Sequence, residues 1–434
     1  MMFRSFGHGA QNGAPQRRVP GVSLGLTPVA EPPLLGTWAE KAERNVVMDR
    51  EFELIVYGAT GFTGRLVAEY LLERHPARRW ALAGRSAEKL AAVRAELGAP
   101  PALPIIVAAA DDPSALATMA ARTHVVITTV GPYQLYGSHL VAACAATGTA
   151  YVDLCGEPAW MRAMIDAHQA QAAANGARIV FSCGFDSIPF DLGVYRLQQH
   201  CIERFGIPAP SIKGRVRSMQ GGFSGGTAAS LRATLAAAAR NPSLVRLLAD
   251  PFALTPGFAG PDQPNGLLPH YDAAVDAWVA PFIMAPINTK NVHRTNQLRG
   301  HPYGRDFRYD EMMVAPGLGE LGKAAAEAIA KANPLGGPGG PRPGEGPSRE
   351  ERENGHYDLL FVAEYPDGRR AALSVRGDRD PGYGSTSRMI AEAALCLIDD
   401  VAGAGGIWTA GALLGDALVT RLERDAGIRF TVER

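Results

Sequence analysis

Short apolar runs alternate with longer segments of helical periodicity between residues 53 and 182. The intervening segments place apolar residues three and four positions apart, as in Val67, Tyr70 and Leu71. The short apolar runs predict strands, and the helical periodicity predicts amphipathic helices between them. Six strands joined by helices are typical of an α/β protein with a doubly wound parallel sheet. The predicted strands are Leu54–Tyr57, Trp80–Ala83, Ile105–Ala109, Val125–Val130, Tyr151–Leu154 and Arg178–Ser182.

The pattern changes after residue 200. Strands of alternating polarity become longer and more widely spaced, and two helical patterns, Thr386–Asp400 and Ala410–Arg424, lie near the C-terminus. Strands and helices that no longer alternate predict a second domain of the α+β class. The predicted strands of this part are Ile212–Met219, Phe307–Val314, Tyr357–Tyr365 and Ala371–Gly377.

Three glycines at a spacing of three residues follow the first predicted strand and precede a helical pattern. Glycine lets the backbone turn tightly and lets a pyrophosphate approach its amides, while the helix N-terminus offers free N–H groups. The spacing is a variant of the dinucleotide-binding fingerprint, and the strand–turn–helix context matches it. A glycine-rich turn without a ligand is the alternative. We predict a Rossmann domain whose dinucleotide-binding residues here are Gly58, Thr60, Gly61, Phe62, Thr63 and Gly64.

The residues after the second strand select the cofactor. An NAD site usually has an acidic residue there, about 20 residues after the glycine turn, to bind the ribose 2′-hydroxyl. This strand is instead followed by Gly84, Arg85 and Ser86. A guanidinium suits a 2′-phosphate, and Ser86 adds a hydroxyl that also suits a helix N-cap. The sequence therefore predicts NADP as the cofactor, with a solvated surface role for Arg85 as the alternative.

Two further loops are expected at the same edge of the sheet, because such sheets bind ligands at the carboxyl ends of their strands. Asp111 follows the third strand, where it either faces the adenine or caps the helix that contains Pro113. Gly131, Pro132 and Tyr133 follow the fourth strand and are expected beside the nicotinamide.

A segment punctuated by glycine and proline follows the sixth strand, with the sequence Cys183-Gly-Phe-Asp186-Ser187-Ile-Pro189. Asp186 or Ser187 suits the N-cap of the next helix, with Pro189 in its first turn. The alternative is that this turn forms the floor of the ligand cleft.

These patterns divide the chain into three parts. Residues 1–47 are rich in Gly, Pro and Ser and lack a hydrophobic period, which predicts a disordered extension, with a transit peptide as the alternative. Residues 48–200 are the predicted NADP-binding Rossmann domain, and residues 201–434 an α+β domain for substrate binding or dimerisation. Within it, the Gly- and Pro-rich stretch 333–354 predicts a mobile loop.

Composition argues against several classes of protein. Lys and Arg together number 43, as do Asp and Glu, so the formal net charge is zero and nucleic acid is not an expected partner. The five cysteines form no metal-binding or C-x-x-C spacing, which predicts reduced thiols, no metal and a cytoplasmic location. No apolar run is long enough to predict a membrane span. Gly317–Lys323 approximates a triphosphate-binding loop, but Ala324 replaces the Ser or Thr that would bind magnesium.

Several short motifs together resemble the saccharopine dehydrogenase-like oxidoreductases. The resemblance extends from about Met48 to the C-terminus, and it is strongest to the mycobacterial trans-acting enoyl reductases of phthiocerol and phenolphthiocerol glycolipid synthesis. The motifs are Gly58-Ala-Thr-Gly-Phe-Thr-Gly64, Gly84-Arg85, Gly131-Pro-Tyr133, Tyr151-Val-Asp153-Leu-Cys-Gly156-Glu157, Gly184-Phe-Asp-Ser-Ile-Pro189, Ser224-Gly-Gly-Thr227 and Gly377-Asp-Arg-Asp-Pro-Gly-Tyr383.

This resemblance implies an NADPH-dependent enzyme that reduces a carbon–carbon double bond in a lipid or glycolipid intermediate, either a small molecule or an acyl group carried by another protein. It leaves peripheral membrane contact and a homodimer open. A saccharopine-type imine reductase or amino-acid dehydrogenase is the first alternative, and it needs cations such as Arg215, Arg217 and Arg232 to bind substrate carboxylates. A non-catalytic NADP-binding scaffold is the second. An apolar cleft favours enoyl reduction, and an arginine-lined cleft favours the imine reductase.

Enoyl reduction also requires a proton and a group that polarises the thioester carbonyl. Tyr133 is the first candidate, because it is expected near the nicotinamide and a phenol with a pKa of about 10 stays protonated at neutral pH. Asp186 and Ser187 are the second candidates. A packing role for the Tyr133 ring is the alternative.

A truncated protein that begins at Met48 is expected to keep its fold and its affinity for NADPH. The preceding residues lack the apolar pattern that a segment needs to bury surface against a domain. Thermal melting and NADPH titration of the truncated and full-length chains test this expectation. A melting temperature several degrees lower, or loss of NADPH binding, would contradict it.

Overall fold

Two seven-stranded sheets organise the protein in the computed structural model, which describes residues 50–221, 225–332 and 345–433. All strands of the first sheet run parallel. Those strands are β1 (Phe52–Tyr57), β2 (Trp80–Gly84), β3 (Ile105–Val107), β4 (Thr123–Thr128), β5 (Ala150–Val152), β6 (Arg178–Val180) and β13 (Gly406–Trp408). Their order is β3-β2-β1-β4-β5-β6-β13.

The first six strands confirm the predicted doubly wound sheet, with its switch point between β1 and β4. Both faces of β1 are buried, which is typical of parallel strands covered by helices on each side. The seventh strand, β13, comes from the C-terminal part of the chain and pairs with β6. Sequence analysis missed it because a run of three residues carries no usable period. The domain division at residue 200 stays a prediction, since the later part of the chain also contributes to this sheet.

The second sheet is mixed. Its strands are β7 (Ser211–Gln220), β8 (His270–Asp272), β9 (Ala277–Pro281), β10 (Arg308–Val314), β11 (His356–Glu364), β12 (Arg370–Gly377) and β14 (Ile428–Glu433). Their order is β14-β12-β11-β7-β10-β9-β8, in which only β7 and β10 run parallel. The four strands predicted in this part are present, and β8, β9 and β14 were not predicted.

Helices cover both faces of the first sheet. Helices α1 and α13 pack with one face of β1, and α3, α5 and α6 with the other. The helices are α1 (Phe62–Arg74), α2 (Ala87–Glu96), α3 (Pro113–Ala121), α4 (Tyr133–Tyr136), α5 (Ser138–Thr147), α6 (Pro158–Asn175), α7 (Ile188–Phe205), α8 (Gly225–Arg240), α9 (Pro242–Ala249), α10 (Ala285–Leu298), α11 (Gly319–Lys331), α12 (Arg349–Asn354), α13 (Thr386–Asp399), α14 (Ala410–Leu413) and α15 (Gly415–Asp425).

Two predicted boundaries were wrong. Residues 349–354 form helix α12 rather than part of a loop, because the side chains of Ser348 and Glu351 bind each other's backbone N–H groups as a capping box. Residues 333–344 of the predicted loop lie outside the described residues. The single helix predicted over Ala410–Arg424 is divided into α14 and α15, since Gly415 has a φ of +43° at the junction.

A buried carboxylate connects the C-terminal helices to the first helix of the chain. Glu392 of α13 accepts a hydrogen bond from the Tyr70 hydroxyl of α1 at 2.7 Å and pairs with Arg421 of α15 at 3.1 Å. This carboxylate therefore joins α1, α13 and α15. None of the described helices is both long and apolar enough to cross a membrane. All five cysteines are buried and unpaired.

Candidate active site

The glycine turn after β1 is too tight for side chains at two of its positions. Gly58 has a φ of +92°, and a Cβ on it would lie 2.7 Å from the Val130 Cγ2. A Cβ on Gly64 would lie 2.3 Å from the Gly58 carbonyl oxygen. Such distances are well inside van der Waals contact, so both positions require glycine. The turn is thereby pressed against the loop that follows β4.

The turn leaves the first N–H groups of α1 available to an anion. Gly61 is the N-cap of α1 and has no side chain to bind them. Thr60, Phe62 and Thr63 are half-buried around this N-terminus. The Phe62 ring packs on Tyr383 with a centroid distance of 5.2 Å. The arrangement fits the pyrophosphate of a dinucleotide.

Arg85 lies at the carboxyl end of β2, next to the buried Gly84, and its side chain is exposed. It forms no hydrogen bond or ion pair with the residues that the structure describes. Ser86 is the N-cap of α2, and its Oγ accepts a hydrogen bond from the Lys89 N–H at 3.3 Å, as predicted for a cap. Arg85 is therefore the residue of this loop whose polar group remains available to a 2′-phosphate.

Asp111 faces the same region as Arg85. Burial raises the pKa of the Tyr57 phenol to about 12, the negative charge of Asp111 adds to this shift, and the positive charge of Arg85 opposes it. Both charges therefore lie close to Tyr57, at the end of β1. The alternative cap role of Asp111 was wrong by one residue, because Asp112 is the N-cap of α3 and accepts from the Ala115 N–H at 3.0 Å.

Tyr133 begins helix α4 directly after Gly131 and Pro132, and its side chain is buried. The hydroxyl donates to the Thr128 carbonyl at 3.2 Å and accepts from the Leu154 N–H at 3.0 Å. Burial, reinforced by the nearby Asp153, raises the pKa of this phenol well above its ordinary value. These contacts favour the packing alternative for Tyr133, and proton donation by it gains no support from them.

Two buried carboxylates that sequence analysis left without a role hold the loops after β4, β5 and β6. Asp153 accepts from the N–H groups of Cys155 and Ser182 at 3.0 and 2.8 Å. Glu157 accepts from the N–H groups of Tyr133 and Gln134 at 2.9 and 2.8 Å. Burial raises the pKa of Asp153 to about 7, and its hydrogen bonds oppose that shift. The available signal was the acidic motif Tyr151–Glu157, which includes the predicted fifth strand and the residues after it.

Asp186 and Ser187 lie in the turn before α7, and their environments differ. The Ser187 Oγ accepts from the Asn291 amide at 2.7 Å and lies 3.3 Å from the Asn288 amide oxygen, both on α10. Ser187 occupies the N-cap position of α7 without a side-chain capping bond. Asp186 is half-buried and has no hydrogen-bond or ion-pair partner among the described residues. Burial raises the pKa of its carboxyl to about 6.

Helices α8 and α10 enclose these loops from the second half of the chain. The Ser230 Oγ of α8 lies 3.6 Å from the position that a Cβ on Gly131 would take, and Thr234 accepts from the Gln134 amide at 3.2 Å. The Met284 Cε lies 3.9 Å from the corresponding position on Gly156. Neither helix was assigned to the site from the sequence. Ser224 of the Ser224–Thr227 motif lies outside the described residues.

No three His, Cys, Asp or Glu side chains within the described ranges are grouped as a metal ion would require. The polar groups at this edge are instead backbone N–H groups, single carboxyls and the guanidinium of Arg85. This set of donors matches a dinucleotide and an organic substrate.

Comparison with known proteins agrees with this geometry. Residues 54–180 match the family model of the saccharopine dehydrogenase NADP-binding domain. The chain is 42% identical over 415 residues to a Mycobacterium tuberculosis protein whose name assigns it provisionally to the trans-acting enoyl reductases, covering 89% of this chain and 98% of that one. It is 40% identical over 408 residues to the trans-acting enoyl reductase of Mycobacterium leprae, covering 86% and 96% of the two chains.

The chain belongs to the trans-acting enoyl reductase family. Identity at this level across nearly the whole of both chains, together with the NADP-binding domain match, makes it an NADP-dependent oxidoreductase of saccharopine dehydrogenase type. The predicted family and the predicted cofactor are thereby confirmed.

Solved structures share the fold of this chain at much lower sequence identity. The apo saccharopine dehydrogenase (L-Glu forming) of Saccharomyces cerevisiae aligns with a TM-score of 0.50 at 12% identity, over 88% of this chain and 99% of that one. The homospermidine synthase of Legionella pneumophila, solved in complex with NAD, aligns with a TM-score of 0.52 at 9% identity, over 88% and 91%. At such identities the likeness shows the fold alone.

The unmodified protein is expected to bind NADPH at least about tenfold more tightly than NADH, because a charged Arg–phosphate hydrogen bond contributes about 1.5–3 kcal/mol. Arg85→Ala should remove most of this preference and leave NADH affinity nearly unchanged. Calorimetric titration with both cofactors measures the ratio. Equal affinities in the unmodified protein would refute the assignment of Arg85.

Tyr133→Phe is expected to lower the free energy of unfolding by about 1–3 kcal/mol, because the partly buried Leu154 N–H and the buried Thr128 carbonyl each lose a partner. Chemical denaturation measures this loss. If Tyr133 were the proton donor instead, turnover would fall by about 100-fold or more. Turnover measured well below the melting temperature separates the two roles.

Proposed function

We propose that this protein uses NADPH to reduce a carbon–carbon double bond conjugated to a thioester carbonyl. The names of its relatives motivate the reaction type, and their description as trans-acting motivates a substrate carried by another protein. A lipid or glycolipid biosynthetic intermediate is the substrate class that fits this proposal. NADPH supplies the hydride for the β carbon, and the protein must supply a proton for the α carbon.

The ion-pair partners of the candidate cations favour enoyl reduction over amino-acid chemistry. Arg215 is fully buried and pairs with Asp272 at 2.7 Å and Asp310 at 2.9 Å. Arg217 pairs with Asp358 at 2.7 Å. An arginine that is locked between carboxylates is not available to bind substrate carboxylates. Only Arg232 of the three expected cations stays exposed.

Apolar side chains instead surround the loops near the nicotinamide position. Leu135 and Tyr136 of α4 are 62% and 46% exposed, directly after Tyr133. Leu154 is partly buried within the loop that follows β5, and the partly buried Met284 lies beside Gly156 of the same loop. Exposed apolar groups next to a cofactor site are typical of a surface that receives an apolar substrate. This environment supports an acyl chain more than an amino acid.

Asp186 is our candidate for the proton donor. The Tyr133 and Ser187 hydroxyls are both engaged within the protein, whereas the Asp186 carboxyl has no partner among the described residues. A carboxyl with a pKa of about 6 keeps a useful protonated fraction near neutral pH and transfers that proton readily. Asp186 would therefore hold the proton that is delivered to the α carbon.

Anaerobic oxidation of NADPH tests the reaction type. The substrate panel contains a crotonyl thioester of pantetheine, the matching 3-ketoacyl thioester and an imine formed from glutamate and an aldehyde. We expect oxidation with the enoyl thioester alone. Oxidation with the imine alone would support the saccharopine-type alternative, and a protein that binds NADPH but oxidises none would support the scaffold alternative.

Asp186→Asn is expected to lower turnover by about 100-fold or more, since an amide cannot donate this proton. In the unmodified protein, turnover should fall as the pH rises above about 6, where the carboxyl ionises. The control is Asp191→Asn, which alters another buried carboxyl with a pKa raised to about 6, one that is bound by the Gly411 N–H. The control should keep its turnover.

The same substitution has an opposite effect on stability. The carboxyl of Asp186 has a pKa raised from 3.8 to about 6, so its ionisation costs folding free energy as the pH rises through that window. Asp186→Asn should therefore melt at a higher temperature than the unmodified protein at pH 8, with the difference vanishing near pH 4. If the variant and the unmodified protein have the same melting temperature at pH 8 as well as at pH 4, Asp186 is not desolvated.

Homodimerisation and contact with a membrane surface stay predictions. Leu267, Leu268, Leu318 and Leu321 have the highest exposure among the large apolar side chains of the described residues, from 64% to 80%. Sedimentation measurements and vesicle co-pelleting with Leu318→Ser as the variant would test whether either contact forms there.

A further inference from the structure

Glu157 binds two consecutive backbone N–H groups of a loop that it does not belong to. Its Oε1 accepts from Tyr133 at 2.9 Å and its Oε2 from Gln134 at 2.8 Å, across 24 and 23 positions of sequence. The side chain is 3% exposed. It has no cationic partner among the described residues, so backbone N–H groups provide its hydrogen bonds.

Helix α4 needs such an external partner. It has four residues, Tyr133–Tyr136, and its N-cap is Pro132, whose side chain cannot accept a hydrogen bond. A helix this short is not stable by itself, because few of its backbone groups find partners within it. Glu157 is in turn held at the start of α6, where the N-terminal end of the helix dipole favours a negative charge.

The loop that Glu157 holds forms one wall of the cofactor site. Gly58 of the phosphate-binding turn touches this loop, since the Thr129 Oγ1 donates to its carbonyl at 3.3 Å. Gly131 is exposed at the tip of the loop. The loop follows β4, on the far side of β1 from Arg85, and in doubly wound sheets the cofactor crosses this switch point. The adenosine half and the nicotinamide half therefore meet different parts of the protein.

We infer that Glu157 is a positioning residue that holds the backbone of residues 131–134 in the conformation that receives the nicotinamide half of NADPH. We assign the adenosine half with its 2′-phosphate to Arg85 and the pyrophosphate to the glycine turn, and Glu157 contacts neither of these segments. This inference rests on NADP binding by the first domain and not on the identity of the reduced substrate.

Binding of two ligands tests the inference without any turnover. NADPH contains both halves of the cofactor, and 2′,5′-ADP contains only the adenosine half with its phosphates. Glu157→Gln should weaken NADPH binding about tenfold, a change of about 1.4 kcal/mol, and leave the affinity for 2′,5′-ADP within about twofold of the unmodified value. An amide can accept from only one of the two N–H groups and presents its own donors to the other. Calorimetry measures both affinities.

Two further variants calibrate the result. Arg85→Ala should weaken both ligands, because it acts on the shared adenosine half. Gln198→Leu removes another buried side chain that hydrogen-bonds to backbone groups. Gln198 lies in the second half of α7 and binds the N–H and carbonyl of Ala209 at 2.8 and 2.9 Å. This substitution should lower the melting temperature and leave both affinities unchanged.

An equal loss of affinity for both ligands in Glu157→Gln, or no loss for either, would overturn the inference. If Glu157→Gln does not fold, Glu157→Asp replaces it, since the shorter carboxylate keeps the charge but cannot reach both N–H groups. The same selective loss for NADPH is then required. The fluorescence lifetime of bound NADPH gives an independent reading, and it should shorten in the variant because the nicotinamide is less restrained.

Discussion

Four backbone N–H groups at the carboxyl edge of the first sheet are bound by two buried carboxylates, Asp153 and Glu157. Loops at this edge cannot pair with a neighbouring strand, and buried N–H groups without partners are costly. The two carboxylates provide hydrogen-bond acceptors for N–H groups of the loops after β4, β5 and β6. This arrangement fixes these three loops relative to one another.

Hydrogen bonding within the protein also determines which polar side chains remain available to a substrate. The Tyr133 hydroxyl connects β4 to the loop after β5, and the Ser187 hydroxyl connects the turn before α7 to α10. Both hydroxyls therefore have hydrogen-bond partners within the protein. Asp186 lies between the buried Phe185 and Ser187. No hydrogen-bond or ion-pair partner among the described residues stabilises the charge of its carboxylate. An unpartnered carboxyl of this kind is typical of functional sites.

The charged residues of the second sheet serve its own structure. Arg215 and Arg217 lie on β7 at the centre of the sheet and are paired with carboxylates on neighbouring strands. Beside the loop that follows β4, the exposed side chains of Leu135 and Tyr136 on α4 are instead apolar. This distribution supports the proposed enoyl substrate over an amino acid, although saccharopine dehydrogenase shares the fold.

The sequence by itself determined the first sheet, its glycine turn and its cofactor. Short apolar runs, a helical period, the steric demands of Gly58 and Gly64 and the charge of Arg85 are local properties, so they can be read from the order of residues. The strand β13 was not legible, because its partner β6 lies more than 200 residues away and its three residues carry no period. The hydrogen-bond partners of Tyr133, Ser187 and Glu157 were revealed only by the tertiary structure. A hydroxyl or carboxyl acts as a catalyst or as a brace according to the backbone groups that packing brings within 3 Å of it, and sequence spacing does not record those neighbours.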